Sequence, residues 1–186
     1  DQPRSRGLGD VYKRQVKYRG ILDFDTPVSW IDTSELDLQE KAVAEGTGRL
    51  NTGEAELLVR ELKNYMERIG IRRILEEHID FGVISPYRAQ VHYLRHLLKK
   101  EPFFRPCRRL ITVHTVDGFQ GQERDVIMIS LVRANEKGQI GFLRDLRRMN
   151  VAITRARMKL LILGEAVTLT RHPFYRELYE YIGGLR

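Results

Sequence analysis

Two stretches of this chain collect polar groups at spacings that suit phosphate chemistry. The first, Thr115-Val116-Asp117-Gly118-Phe119-Gln120-Gly121-Gln122-Glu123-Arg124-Asp125, lies between two apolar runs. Its glycines and polar side chains leave a strand end accessible, and Gly121 lets a backbone come close to a ligand. An ordinary turn cornered at Asp117-Gly118 has the same composition, and on composition alone it is the better reading. The second stretch carries six basic residues and one acid, Asp145, between Arg144 and Lys159. Guanidinium groups offer planar forks of donors that match phosphate oxygens. A solvated basic helix face fits the same pattern, and pattern alone leaves these two readings even. His92 and His96 stand four apart, but with no companion acid of the HExxH type and no cysteine cluster they read as a helix surface pair. Tyr12, Tyr18 and Tyr87 could stack on bases, although a lone tyrosine is more often a packing residue. No serine or cysteine sits in a recognisable nucleophile setting.

The elements that must position these groups are legible from period and punctuation. Val28-Ser29-Trp30-Ile31-Asp32 reads as a strand, and Glu35 to Gly48 as polar loop. Asn51 and Thr52 are candidate caps for a helix from about Glu54, with Leu57, Leu58, Leu62, Tyr65, Met66 and Ile69 at helical spacing and Gly70 as its stop. Phe81 to Ile84 is a compact strand, and Pro86 stands near the first turn of a helix holding Val91, Leu94, Leu97 and Leu98. Leu110 to Val113 and Val126 to Leu131 read as strands, the latter apolar enough for burial on both faces. Asp145 is a candidate cap for a helix through Arg157. In it Leu146, Met149, Ile153 and Ala156 face the core, and Arg148, Ala152 and Arg155 form the neighbouring stripe. Leu160 to Leu163 is the last strand, and Pro173 to Ile182 the last helix. Strands alternating with helices predict an α/β fold with a mostly parallel sheet covered on both faces. Chemistry in such sheets is expected after strand carboxyl ends, here the loops after Ile84, Val113, Leu131 and Leu163.

Composition sets the outer bounds. The chain has 186 residues, 42% hydrophobic and 31% charged, as ordinary globular domains have. Its net charge is +7, but residues 1–20 supply +4 of it (six basic residues against Asp1 and Asp10) and the other 166 only +3. Charge alone therefore does not establish a nucleic-acid partner. No apolar run reaches membrane-spanning length, and a lone Cys107 fits a reducing compartment; the expectation is a cytoplasmic protein. Residues 1–19 show no period and read as an irregular tail or scar, leaving 20–186 as one domain.

Taken together, TVDGFQGQERDVIMISLVR (Thr115 to Arg133) and GFLRDLRRMNVAITRARMKLLILG (Gly141 to Gly164) resemble motifs V and VI of the Upf-like branch of superfamily 1B helicases. Asn51-Thr52-Gly53-Glu54-Ala55 and Ser85-Pro86-Tyr87-Arg88-Ala89-Gln90 resemble two weaker stations of the same lobe. The resemblance covers roughly residues 50 to 185. It implies a RecA-like lobe of the P-loop NTPase type, the C-terminal one of two that close on Mg2+ and ATP while single-stranded DNA or RNA crosses both, moved with 5′-to-3′ polarity. By this resemblance Arg155 is the arginine finger that reaches the γ-phosphate. Glu123 binds the ATP ribose, Gln120 and Gly121 lie beside the nucleotide, and Arg157 is a cleft residue. Pro86, Tyr87 and Thr115 lie where the family contacts nucleic acid.

Three features of the family are not found: a G-x-x-x-x-G-K-[ST] phosphate loop, an upstream D-E motif and a Q-Y-R-M-H-P segment. The chain thus reads as a fragment beginning after those motifs, with ATP and Mg2+ bound mainly by the missing N-terminal lobe and little activity of its own. The alternative is a non-catalytic nucleic-acid or protein-binding module of the same fold. Glu123 and Arg155 together favour the enzyme, since a pure binder needs neither.

Overall fold

The computed structural model describes residues 26–43 and 46–184. The irregular tail expected over residues 1–19, with Tyr12 and Tyr18, lies outside them. Five strands form one sheet in which every pairing is parallel: β1 (Val28–Asp32), β4 (Phe81–Ile84), β5 (Ile111–His114), β6 (Arg124–Ser130) and β7 (Ala156–Gly164), in the order β1-β7-β6-β4-β5. The stretch read as polar loop holds one short antiparallel pair, β2 (Lys41–Ala42) with β3 (Arg49–Leu50).

Helices cover both faces, as a parallel sheet requires. On one face lie α1 (Thr52–Ile69), α2 (Ile71–Glu77), α3 (Arg88–Lys100) and a 3-10 segment, Pro102–Leu110. They bury Leu58, Leu62, Met66, Ile74, Leu94 and Phe104 against Val83, Val126 and Met128. On the other lie the 3-10 turns Asp117–Phe119 and Gly141–Arg144, then α4 (Leu146–Ile153), the short α5 (Ala166–Leu169) and α6 (Pro173–Gly184). They bury Phe119, Leu143, Met149, Leu169 and Tyr175 against Ile84, Ile127, Ile129 and Ile162. The alternation of side chains along β6 between the two cores is the period-2 rule at work.

Asn51 caps α1 as its sequence position suggests: its side chain accepts the Glu54 N–H at 3.0 Å. All six residues read as the inner stripe of that helix are buried. One expectation needs correction. The helix opened by Asp145 ends at Ile153 rather than running to Arg157, because Ala156 already begins β7 and the Arg155 carbonyl accepts the Arg124 N–H at 3.0 Å. Pro86 stands near the first turn of α3 as expected, in a bend one residue ahead of its extended N-cap, Tyr87.

Candidate functional site at two ends of the sheet

β7 pairs with β6 through an irregularity: Arg124 faces Ala156 but Val126 faces Lys159, so β7 carries one extra residue. A bulge of this kind re-aims side chains at a strand end. Around it, at the amino ends of β6 and β7, stand the residues proposed for the nucleotide. Arg155 lies in the turn between α4 and β7. Its Nε donates to the Val151 carbonyl at 3.0 Å, Nη1 to the Gln122 carbonyl at 3.4 Å and Nη2 to Thr154 Oγ1 at 3.2 Å. Among the described residues no carboxylate pairs with it. Glu123 is half-buried just before β6, and among the described residues its carboxylate has no partner; only its backbone carbonyl is used, by Arg124 and Arg157. Gln120 and Gly121 are exposed ahead of it. Gly121 has φ +75 with open space around its Cα, so glycine serves the left-handed backbone here.

Arg157 behaves differently. Its Nη2 donates to both Asp80 carboxylate oxygens at 2.8 and 2.9 Å, and its Nε to Asp125 at 3.0 Å. The Asp125 N–H donates back to Asp80 at 2.6 Å, and the Asp80 N–H to Asp125 at 3.2 Å. Burial would lower the Arg157 pKa, but Asp125 and Asp80 hold it above its ordinary value. Arg157, which the resemblance makes a cleft residue, thus gives its Nε and Nη2 to two carboxylates that join β4, β6 and β7, and its Nη1 to the Glu123 carbonyl at 3.4 Å. Asp80 and Asp125 had no signal in the sequence, since each is one acid beside an apolar strand.

Residues 115–123 then cross the sheet face, from the carboxyl end of β5 to the amino end of β6. Phe119 crosses over the bare Cα of Gly82, where a Cβ would stand 2.9 Å from its ring. Seven residues of β6 at about 3.3 Å each separate the two ends by roughly 20 Å. The amino-end group is therefore at the opposite edge from the loops where chemistry was expected. Of the candidates, only Pro86, Tyr87 and Thr115 stand at carboxyl ends.

There Pro86 and Thr115 line a shallow groove with Asp117, Phe142, Arg148 and Met149. Arg148 reaches Asp117 at 3.4 Å and Asp145 at 3.5 Å, and its side chain stays 53% exposed. Tyr87 does not present its ring to the groove. It is 2% exposed, its hydroxyl accepts from Arg133 at 3.3 Å, and Phe142 lies over it with ring centres 5.4 Å apart. Its ring thus packs, as a lone tyrosine more often does, and is closed to a stacking base. Behind the groove, Glu54 is fully buried: one oxygen accepts from Ser130 Oγ at 2.6 Å and the Val132 N–H at 2.8 Å. Among the described residues its other oxygen has no hydrogen-bond partner. Asn51 and Gln90 complete this network with bonds to the Val132 carbonyl at 3.0 Å and Ser130 Oγ at 3.0 Å. Burial raises the Glu54 pKa from 4.5 to about 7. The sequence marked Asn51 and Glu54 as a station without a role, and Ser85-Pro86-Tyr87-Arg88-Ala89-Gln90 as its neighbour; the role is to tie α1 and α3 to the end of β6.

No helix among the described residues is long and apolar enough to cross a membrane. Comparison with known proteins gives one family match, described as an AAA domain, over residues 7–167. The DNA polymerase alpha-associated DNA helicase A of Saccharomyces cerevisiae is 41% identical over 152 residues, which are 80% of this chain and 21% of that protein. The DNA replication ATP-dependent helicase/nuclease DNA2 of Mus musculus is 35% identical over 164 residues, 88% of this chain and 14% of that protein. Regulator of nonsense transcripts 1 of Dictyostelium discoideum is 36% identical over 143 residues, 76% of this chain and 10% of that protein. The chain thus spans about a fifth or less of the length of these relatives.

Proposed function

Because the chain belongs to the AAA domain family, as a C-terminal lobe of the Upf-like superfamily 1 helicase type, we propose that it is the second motor lobe of an ATP-dependent helicase moving 5′-to-3′ on single-stranded DNA or RNA. In this reading the amino ends of β6 and β7 form one wall of an ATP site, and a preceding lobe holds the phosphates. The observation that carries the reading is the contrast between two arginines two residues apart. Arg157 is neutralised by Asp80 and Asp125, whereas Arg155 meets only uncharged acceptors. A cation kept without a counter-charge at a domain edge is suited to an anion supplied from outside.

The residues present fit ATP in part. Arg155 can meet a terminal phosphate, Glu123 can accept from ribose hydroxyls, and Gln120 and Gly121 offer exposed groups beside them. Among the described residues no three His, Cys, Asp or Glu side chains come together, and in this reading the Mg2+ ligands come mainly from ATP phosphates and the other lobe. When bound, ATP supplies the phosphoryl group whose transfer to water drives movement. Arg155 contributes charge to the transferring oxygens, and its backbone bond to Arg124 holds it at the mouth of the cleft. Turning the chain out of α4 at Thr154 fixes its position, in place of the helix on which the sequence had set it.

The test uses the two-lobed protein. Arginine fingers are worth about 10³ to 10⁵ in turnover, so Arg155→Ala should nearly abolish strand-stimulated ATP hydrolysis while leaving strand binding without nucleotide in place. Arg155→Lys should restore little, since an ammonium lacks the planar fork. A loss under about tenfold, roughly 1.4 kcal/mol, in a folded Arg155→Ala protein refutes the assignment.

A further inference from the structure

We infer that Phe142 is a base-stacking platform in the carboxyl-end groove, taking the place that the sequence suggested for Tyr87; the inference rests on the reading of that groove as a single-strand surface. Phe142 is one of the few large apolar side chains left open, at 43% exposure. One flank of its ring rests on the buried Tyr87, and the ring lines the groove beside Pro86, Thr115 and Arg148.

The ring is held in place from behind. Its neighbours Ile140 and Leu143 are 1% and 0% exposed, and the Tyr175 hydroxyl donates to the Leu143 carbonyl at 2.5 Å. Gly141, at φ +51, lies so close to the layer below that a Cβ would stand 2.2 Å from Arg133 Nη1 and 3.0 Å from the Tyr87 hydroxyl. A side chain there would have to displace the Arg133 guanidinium or the turn itself. The turn is therefore seated on the Arg133–Tyr87 pair, and Phe142 projects from it as a pre-set face. Such a face loses little conformational freedom when a flat partner arrives.

Charge around the ring selects the partner. Around the ring stand Arg144, Arg147 and Arg148 against Asp145 and, across the groove, Asp117, a surplus of +1; Arg148 bridges the two acids, and all five are exposed. An apolar ring in a cationic surround matches a strand that offers a base plane and phosphates at neighbouring positions. An apolar protein surface would gain nothing from the three arginines.

The experiment titrates this chain with a fluorescent oligothymidylate at several salt concentrations, comparing wild type with Phe142→Leu, Phe142→Trp and Arg148→Ala. Stacking aromatics are worth about five- to a hundredfold in affinity. Phe142→Leu, which keeps an apolar cover on Tyr87, should weaken binding within that range without changing the salt slope, because no phosphate contact is lost. Phe142→Trp should bind at least as well as wild type. Arg148→Ala should flatten the salt slope. In wild type, a 5-iodouracil oligonucleotide should photo-cross-link at Phe142, a readout that does not depend on how any variant folds. Wild-type affinity in folded Phe142→Leu, or cross-links only elsewhere, overturns the platform and leaves the groove reading standing. No strand binding by the wild-type chain removes both.

Discussion

At the scale of single residues, the chain separates two arginines that a sequence cannot tell apart. Arg155 and Arg157 flank one alanine, and the resemblance alone assigned them different parts. What distinguishes them is Asp80 and Asp125, 77 and 32 positions away, and no local pattern reports such a partner. The consequence is measurable in stability. Arg157→Ala leaves two carboxylates facing each other, the Asp125 side chain being only 4% exposed. Removing one partner of a buried pair costs about 3–5 kcal/mol, and the partial exposure of Arg157 and Asp80 brings the expectation to roughly 2–3 kcal/mol. Arg155→Ala removes only hydrogen bonds from a half-exposed turn and should cost about 1 kcal/mol or less. Urea unfolding of the two variants checks this; equal losses would mean that the carboxylate cluster contributes nothing. Tyr87 shows the same limit of local reading. Its aromatic ring invited a role with bases, yet the hydrogen-bond donor and the covering ring that bury it come from Arg133 and Phe142.

At the scale of elements, the sequence carried most of the fold because most strands of the five-stranded sheet are short apolar runs and each long helix has an inner stripe; the short pair β2 and β3, with Lys41 and Arg49, has no such run. The sequence failed where tertiary alignment overrides period. Leu146, Met149, Ile153 and Ala156 keep helical spacing past the true end of α4, but the chain must turn at Thr154 for β7 to lie along β6. The short α2 has only Ile74 fully buried and offers no stripe to read. The joint between α1 and β6 yields a pH prediction. In the folded protein burial keeps Glu54 protonated up to about pH 7, against 4.5 when free. Between these values the folded state binds more protons than the unfolded one, so this group's contribution is present below pH 4.5 and is lost as pH rises through 7. The span corresponds to about 3 kcal/mol. Glu54→Gln keeps the acceptor for Ser130 and Val132 and cannot ionise. Its stability relative to wild type should therefore improve on going from pH 5 to pH 8, by up to that amount. A constant difference across that range, by urea unfolding, would show that Glu54 titrates normally.

At the scale of the whole molecule, the candidate residues divide between two ends of one sheet, and in the proposed reading only one end meets a nucleotide. In that reading Arg155 and Glu123 make a single wall, without a phosphate loop in the sequence. Titrating a fluorescent ATP analogue onto this chain should therefore give a dissociation constant well above about 1 μM, weaker than roughly −8 kcal/mol. Tighter binding would require a phosphate site that the described residues do not account for. The division by ends was not legible beforehand. The rule that ligands gather at strand carboxyl ends pointed to Pro86 and Thr115, but Arg155 and Glu123 owe their place to the two connections that feed β6 and β7 from below.

The strand order has a consequence for how the chain is made. Among the described strands β1 stands at the edge with β7 as its one neighbour, Val28 opposite Leu160 and Asp32 opposite Gly164. Trp30 on that strand donates to the Gly164 carbonyl and meets Tyr179 of α6 edge to face. During synthesis at about 5–20 residues per second, the 132 residues from Asp32 to Gly164 take roughly 7 to 26 s to appear. Throughout that interval β1 waits for β7, its partner among the described strands. Of the described strands of the sheet β1 is thus the first translated and among the last able to pair, and until then the nascent chain carries an indole and a backbone edge that a chaperone, or another copy, can reach.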